Sequence, residues 1–331
     1  MKIRTIERED LPAIGNIWNA CQQRGETLLR PFRPGYFCAK FLDTDCYEPP
    51  LCLAATEENT LVGVIAGARK HTFLPHETEE NTPGFITLLL VLPEYRNRGV
   101  GRALLSALEN AFRQLGKRRV DVSSVSPVDL HWIIPGTPGH EHNNMPGLDV
   151  DGLAYGFLSH MGYRTTVREV AMYLNLSEYR LDEQVEEKRR ALAAQGITAG
   201  RYSPDEHCEW DAMCDRVGSE YWRKVLKDEL ASPSPRPILA ARTGGQIVGF
   251  TGPVDLEESG RGWFTGICTD PLYERRGIAT VLFNDLMKEF IRIGAAYASL
   301  FTGVDNHAQR LYLKTGFRPV RSFAMLRKDL T

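Results

Sequence analysis

The sequence predicts an α/β (α+β) protein built from two tandem units, each with a mixed, mainly antiparallel central sheet flanked by helices. Three observations predict it. The phrase EYRNRGVGRALL at 94–105 returns as LYERRGIATVLF at 272–283: an arginine cluster, a glycine, one apolar residue, a second small residue, then a helix. Landmarks on both sides of the phrase recur in the same order, as expected of a long internal repeat. A chain of 331 residues also exceeds one ordinary core and suits two domains.

Each half opens with a strand and an acidic helix start, KIRTIEREDLPAI (2–14) and ITAGRYSPDEHCEW (197–210). Next come LVGVIAG (61–67) and QIVGFTG (246–252), apolar runs that follow a turn and read as central antiparallel strands. In the first half an apolar strand then runs into Pro93, a short turn follows, and a helix begins near Gly99; the second half repeats this at Gly277. FLSHMGYR (157–164) and LYLKTGFR (311–318) read as helix ends closed by Gly162 and Gly316, with an aromatic starting the last strand. Between the halves, SEYRLDEQVEEKRRALAAQG (177–196) has a Ser start, mixed charges and a Gly stop, which reads as a solvated linker helix. The expected division is therefore a first domain at 1–175, a linker helix at 176–196 and a second domain at 197–331. The halves differ in one place. From Gly99 to Gly162 is 63 residues and from Gly277 to Gly316 is 39, so the first half carries 24 more, placed at HWIIPGTPGHEHNNMPGLDVDG (131–152), whose Gly and Pro content reads as a long loop.

Composition narrows the function classes. With 43% hydrophobic and 25% charged residues the chain reads as soluble and globular, and no apolar run approaches the ~20 residues that cross a bilayer. A net charge of −2 offers no basic field for nucleic acid. The start MKIRTIERED lacks the apolar stretch of a secretory signal, and seven scattered cysteines form no Cys-x-x-Cys pair, so a reducing cytoplasm is expected.

The repeated phrase has a chemistry of its own. N–H groups are unpaired at a helix start and the helix dipole is positive there. Gly99 and Gly101 let a ligand approach the main chain, and Arg96 and Arg98 add positive charge. Such a turn suits a phosphate or pyrophosphate. A plain helix cap explains many single Gly-x-Gly sequences, but here the pattern occurs twice with arginines each time.

On these residues both halves resemble the GNAT superfamily of N-acetyltransferases, whose acyl-CoA loop reads Arg or Gln, two residues, Gly, one residue, Gly or Ala. Arg96, Arg98, Gly99, Val100 and Gly101 fit it throughout. Arg275, Arg276, Gly277, Ile278 and Ala279 fit at the glycine and the alanine, with Glu274 where Arg or Gln is expected. An anionic side chain there repels a pyrophosphate, while the main-chain donors remain. DNHAQRLYLKTGF (305–317) matches a second family motif through Asn306, Ala308, Leu311, Tyr312, Gly316 and Phe317.

The resemblance implies acetyl-CoA as co-substrate, no metal, and transfer of the acetyl group to a primary amine of a small molecule or peptide. It places Asn306 beside the CoA arm and makes Tyr312 the general acid for the departing thiolate. The first half has Leu158 and Gly152 at the corresponding spacings, so the chain resembles tandem family members in which one half is catalytic and the other is not. Its second half is then the expected catalytic one, with Asp270, Glu257 and Glu258 as candidate bases. Catalysis by the N-terminal half, and a non-catalytic acyl-CoA sensor, are the alternatives. A packed aromatic is the other reading of Tyr312. His131, His140 and His142 in the 131–152 loop read as polar or exposed rather than metal-ligating, and Cys268 as packed rather than nucleophilic.

Overall fold

The structure, a computed structural model, describes residues 1–330, which divide into two compact units: residues 1–171 with 320–330, and residues 172–319. The chain's last strand therefore belongs to the first unit, and the division does not fall at the 176–196 segment.

In the first unit the sheet runs through β1 (Lys2–Thr5), β2 (Cys52–Glu57), β3 (Thr60–Arg69), β4 (Gly84–Val91) and β5 (Arg119–Val122). The hairpin from β2 to β3 turns at Glu58 and Asn59, both with positive φ (47° and 66°), the pair that matches strand twist. Helix α1 (Leu11–Gln23) buries Ile14, Ile17 and Trp18 on one face of the sheet. After the short α2 (Pro34–Phe37) the chain returns to β2, and α3 (Val100–Gln114) covers the other face with Val100, Leu104, Leu108 and Phe112. Gly63 of β3 permits this packing: a Cβ there would lie 3.0 Å from Leu104 and 3.1 Å from Val100.

The 131–152 segment is more ordered than a loop. It forms the hairpin β6 (Trp132–Ile133) with β7 (Glu141–His142), then β8 (Leu148–Asp149), and buries Trp132, Ile134 and His142. Helix α4 (Leu153–His160) and β9 (Arg164–Asn175) follow. The strand at the chain's end, Arg318–Asp329 (β15), pairs antiparallel with β5, from Leu326 opposite Val122 to Asp329 opposite Arg119, and with β8 through Phe323 and Ala324. Arg321 clamps this arrangement through two 2.8 Å bonds to Asp149.

The second unit repeats the plan. Its sheet runs β10 (Thr198–Arg201), β11 (Leu239–Thr243), β12 (Gln246–Leu256), β13 (Arg261–Thr269) and β14 (Tyr297–Gly303), with the end of β9 beside β14. The β11–β12 hairpin turns at Gly244 and Gly245, both with positive φ. Helix α8 (Ile278–Arg292) packs on β12 at Gly249, where a Cβ would lie 2.9 Å from Ile278, the counterpart of Gly63 and Val100. Helices α6 (Asp211–Val217) and α7 (Glu220–Leu230) bury Met213, Cys214 and Leu226 with Phe250 in a separate core. A short α9 (Gln309–Lys314) leads to the last strand.

The segment read as a solvated linker is instead part of this unit. Its helix α5 (Glu183–Ala194) buries Val185 and Leu192, seven residues apart and so on one face, and Arg189 reaches Asp285 of α8 at 2.5 Å. Two apolar residues in a charged segment suffice, because one stripe is all a surface helix needs. Among the described residues no helix is long and apolar enough to cross a membrane.

Candidate functional site: two glycine turns, one open and one covered

The two glycine turns have nearly the same backbone. A 3₁₀ turn at Pro93–Tyr95 or Pro271–Tyr273 leads to a residue with positive φ (Asn97, 57°; Arg275, 60°), then to the capping glycine (Gly99, 87°; Gly277, 95°) and a helix of 15 residues. Left-handed conformation at the cap explains why glycine stands there in both halves. Arg98 and Arg276 each lie over the ring of the turn's tyrosine, 5.3 Å from Tyr95 and 5.0 Å from Tyr273. The second small residue of each phrase, Gly101 or Ala279, sits in the first turn of the helix.

Their surroundings differ. Among the described residues, its chain neighbours aside, nothing lies within 4 Å of a Cβ placed on Gly99, and the turn opens into a cleft of ≈ 810 Å³ whose walls include Leu89–Val91, Arg96, Asn97, Gly101, Arg102, Phe157 and His160. At Gly277 the same Cβ would lie 3.3 to 3.5 Å from the aliphatic stem of Lys188 on α5. Lys188 leaves less room at Gly277 than there is at Gly99, while Glu274, Arg275 and Arg276 of the second turn stay exposed. A further difference lies in the strand leading to each turn. In the first unit the β3–β4 register shifts by one residue between Ala66 and Gly67, leaving Thr87 of β4 as a bulge whose hydroxyl donates to Ala66 O at 2.9 Å. Bulges bend a strand. In both units the parallel pair that follows is short: β4 meets β5 only at Gly84 and Phe85, and β13 meets β14 only at Arg261 and Gly262. No shift interrupts β12 and β13 from Gly249 opposite Thr269 to Leu256 opposite Gly262, and Trp222 of α7 lies over Gly266 of β13, its ring 2.9 to 3.0 Å from where a Cβ would stand.

The sequence model of the acetyltransferase (GNAT) family matches residues 12–130 and 203–317, one range in each unit. The chain belongs to the GNAT acetyltransferase family. Solved structures agree with a tandem GNAT fold. A GCN5-related N-acetyltransferase from Sphaerobacter thermophilus superposes with a TM-score of 0.62 at 19% identity, over 99% of this chain and 95% of that one. A tandem GNAT protein from the clavulanic acid biosynthesis pathway gives 0.57 at 16% identity, over 100% and 98%. The GCN5-related glucosamine N-acetyltransferase region of a fungal multi-domain GH3 β-N-acetylglucosaminidase gives 0.71 at 17% identity, and this chain spans 38% of that longer protein.

In this GNAT chain Arg96 does not point freely at a ligand. It donates to Glu26 at 2.6 Å, to Val91 O at 3.2 Å and to Cys21 Sγ at 3.4 Å, and the guanidinium holds the Glu26 carboxyl below the usual range. Glu26 and Cys21, on and just after α1, line the cleft and were not singled out by sequence reasoning; nor were Arg102, Phe157 and His160. Cys21 and Glu26 come from α1 and the turn after it, where no motif marks them; Arg102 lies within the glycine phrase on α3, and Phe157 and His160 on α4, but spacing alone does not aim them at the turn.

Both residues of the second motif have partners within the protein. Asn306 is exposed, accepts from Ala308 N and donates to Thr302 Oγ1, both at 2.9 Å, ordering the entry to α9. Tyr312 is 7% exposed and packs on Phe283 and Phe317 with ring centroids 5.0 and 6.3 Å away; burial pushes its hydroxyl up to about 12. Of the candidate bases, Asp270 is fully buried, is held by Arg216 at 2.5 to 3.0 Å and caps the Pro271–Tyr273 turn through Leu272 N, so its lone pairs are engaged. Glu257 pairs with Arg261 at 2.9 Å and Glu258 is exposed in a turn. Burial pushes the Cys268 thiol up to about 12, which keeps it protonated and a poor nucleophile. His131 sits 3.3 Å from Glu141 and His142 stacks on Trp132; among the described residues no group of three or more His, Cys, Asp and Glu could hold a metal.

Proposed function

We propose that the first unit holds an acyl-CoA, with acetyl-CoA the simplest donor, and transfers its acyl group to a primary amine of a small molecule or peptide. The observation that carries this reading is the open cleft at Gly99. The residues present fit the donor: a glycine with no side chain in the approach, the N-terminus of a 15-residue helix, and Arg96 and Arg102 beside it. Beyond Phe85 the edge of β4 that faces β5 is released from strand pairing, so its main-chain groups are available to hold the acyl arm and polarise the thioester carbonyl. In the transfer the amine nitrogen bonds to the carbonyl carbon, the carbon–sulfur bond breaks, and the proton lost by the amine ends on the CoA thiol.

The second unit, with Lys188 on its turn and Trp222 on its strand, then serves as a folded partner domain that leaves its loop unused. A second reading keeps the chemistry there. It is favoured by the Tyr312 hydroxyl, which is protonated at neutral pH as a general acid requires. Calorimetry with acetyl-CoA, followed by a thiol-release assay over a panel of amines, tests the proposal. One equivalent bound per chain and amine-dependent thiol release are expected. Absence of binding sinks it, and binding without release over the whole panel makes the protein a sensor.

A further inference from the structure

A small cavity of ≈ 100 Å³ lies beside the cleft, sharing Leu89 and Ala154 with it, in the gap that opens between β4 and β5. Its walls are the stretch Ile86–Leu89 of β4, Val122 and Ser123 at the end of β5, Leu158 of α4, and Val128 with Leu130. The ordered 131–152 segment closes it with Asn144, Met145, Gly147 and Leu148. The polar side chains in this wall are engaged with the protein. Thr87 donates to Ala66 O at 2.9 Å, Ser126 accepts from Val128 N at 3.3 Å, Ser123 accepts from Val125 N at 3.3 Å and donates to Met325 Sδ, and Asn144 donates to Ser124 O at 3.1 Å. What remains on offer to a ligand is mostly apolar surface.

Resting on the donor reading of the adjoining cleft, we propose that this cavity is an acyl pocket, and that the preferred donor carries a linear acyl group of about four carbons rather than acetyl. The size argument is direct. An apolar cavity of ~150 Å³ takes up benzene, six carbons; ≈ 100 Å³ on the same scale takes about four. An acetyl methyl leaves most of that space unfilled and its lining without contacts. The insertion that distinguishes the first half is what closes the far end, so chain-length selection is a property of the 131–152 segment. Met145, partly buried in that segment, is the side chain through which it can be changed.

The test is calorimetry on the full chain with CoA, acetyl-, propionyl-, butyryl- and hexanoyl-CoA. Affinity should rise roughly fourfold per methylene, the ~0.8 kcal/mol of burying one CH₂, to about 15-fold at butyryl over acetyl, and fall at hexanoyl. Met145→Trp should fill the cavity and make acetyl-CoA the tightest of the series. Met145→Ala, the milder change, should move the optimum towards hexanoyl. If CoA binds but acetyl-CoA binds as tightly as butyryl-CoA, or if affinity climbs without a maximum, the acyl pocket is wrong while the donor site stands. An optimum that neither Met145 variant shifts also overturns it. If CoA itself does not bind, the donor reading fails and this one with it.

Discussion

Replacing the two capping glycines by glutamate separates the two turns as cleanly as any perturbation can. Gly99 and Gly277 have φ of 87° and 95°, so Gly99→Glu and Gly277→Glu carry the same backbone strain, ~1–2 kcal/mol for a side chain in left-handed conformation. For a unit of this size that lowers Tm by roughly 2–8 °C in both variants. The effect on acetyl-CoA should be unequal. At Gly99 the carboxylate enters the cleft where the pyrophosphate is proposed to sit, and two unit charges ~4 Å apart repel by ~4 kcal/mol at an effective dielectric constant of 20. Allowing for screening, affinity should fall at least ~100-fold. At Gly277 the new carboxylate arrives beside Lys188, and affinity should stay within about twofold. Calorimetry on both variants, with thermal melts as the control for folding, measures this. Loss of binding in Gly277→Glu with retention in Gly99→Glu would refute the reasoning and place the donor in the second unit.

Tyr312→Phe keeps the ring on Phe283 and Phe317, so steady-state kcat should stay within about twofold; a fall of roughly 10²- to 10⁴-fold, the range for removing a general acid, would move the chemistry to the second unit. Glu169 of β9 is 9% exposed, its Oε2 has no hydrogen-bond partner among the described residues, and burial raises its pKa from 4.5 to about 6. A raised carboxyl pKa favours the neutral form in the fold, so its stability contribution is complete below pH 4.5 and is lost as pH rises through about 6. Glu169→Gln should therefore raise Tm relative to wild type at pH 7 to 8, with the gap closing towards pH 4.5; a gap of the same size across that range would contradict the assignment. A chelator should change neither Tm nor acetyl-CoA affinity, and stoichiometric zinc in the purified protein would overturn that expectation.

The sequence by itself determined the repeat, the order of elements in each half, and the two glycine turns, because these are local. A left-handed cap needs glycine at 99 and 277, hairpins need Glu58-Asn59 or Gly244-Gly245, and alternating apolar residues name the central strands. The glycine-turn pattern at 96–101 and the family were legible for the same reason. Residues 131–152 read as a loop because their strands are only two residues long, too short for any period to show, and they hold their shape through partners such as Arg321 and Ala324 that lie far along the chain.

Which turn is open was decided only in three dimensions. The Asn306 and Tyr312 motif pointed to the second half, while a cleft opens at Gly99 and, among the described residues, the aliphatic stem of Lys188 approaches Gly277 with no counterpart at Gly99. Nothing in the spacing of α5 announces that contact. Likewise the closing strand of the first unit is β15, near the end of the sequence, since antiparallel pairing with β5 depends on edge complementarity and not on nearness in sequence. Local conformational preference is written residue by residue; access to a site is set by what distant segments pack on top of it.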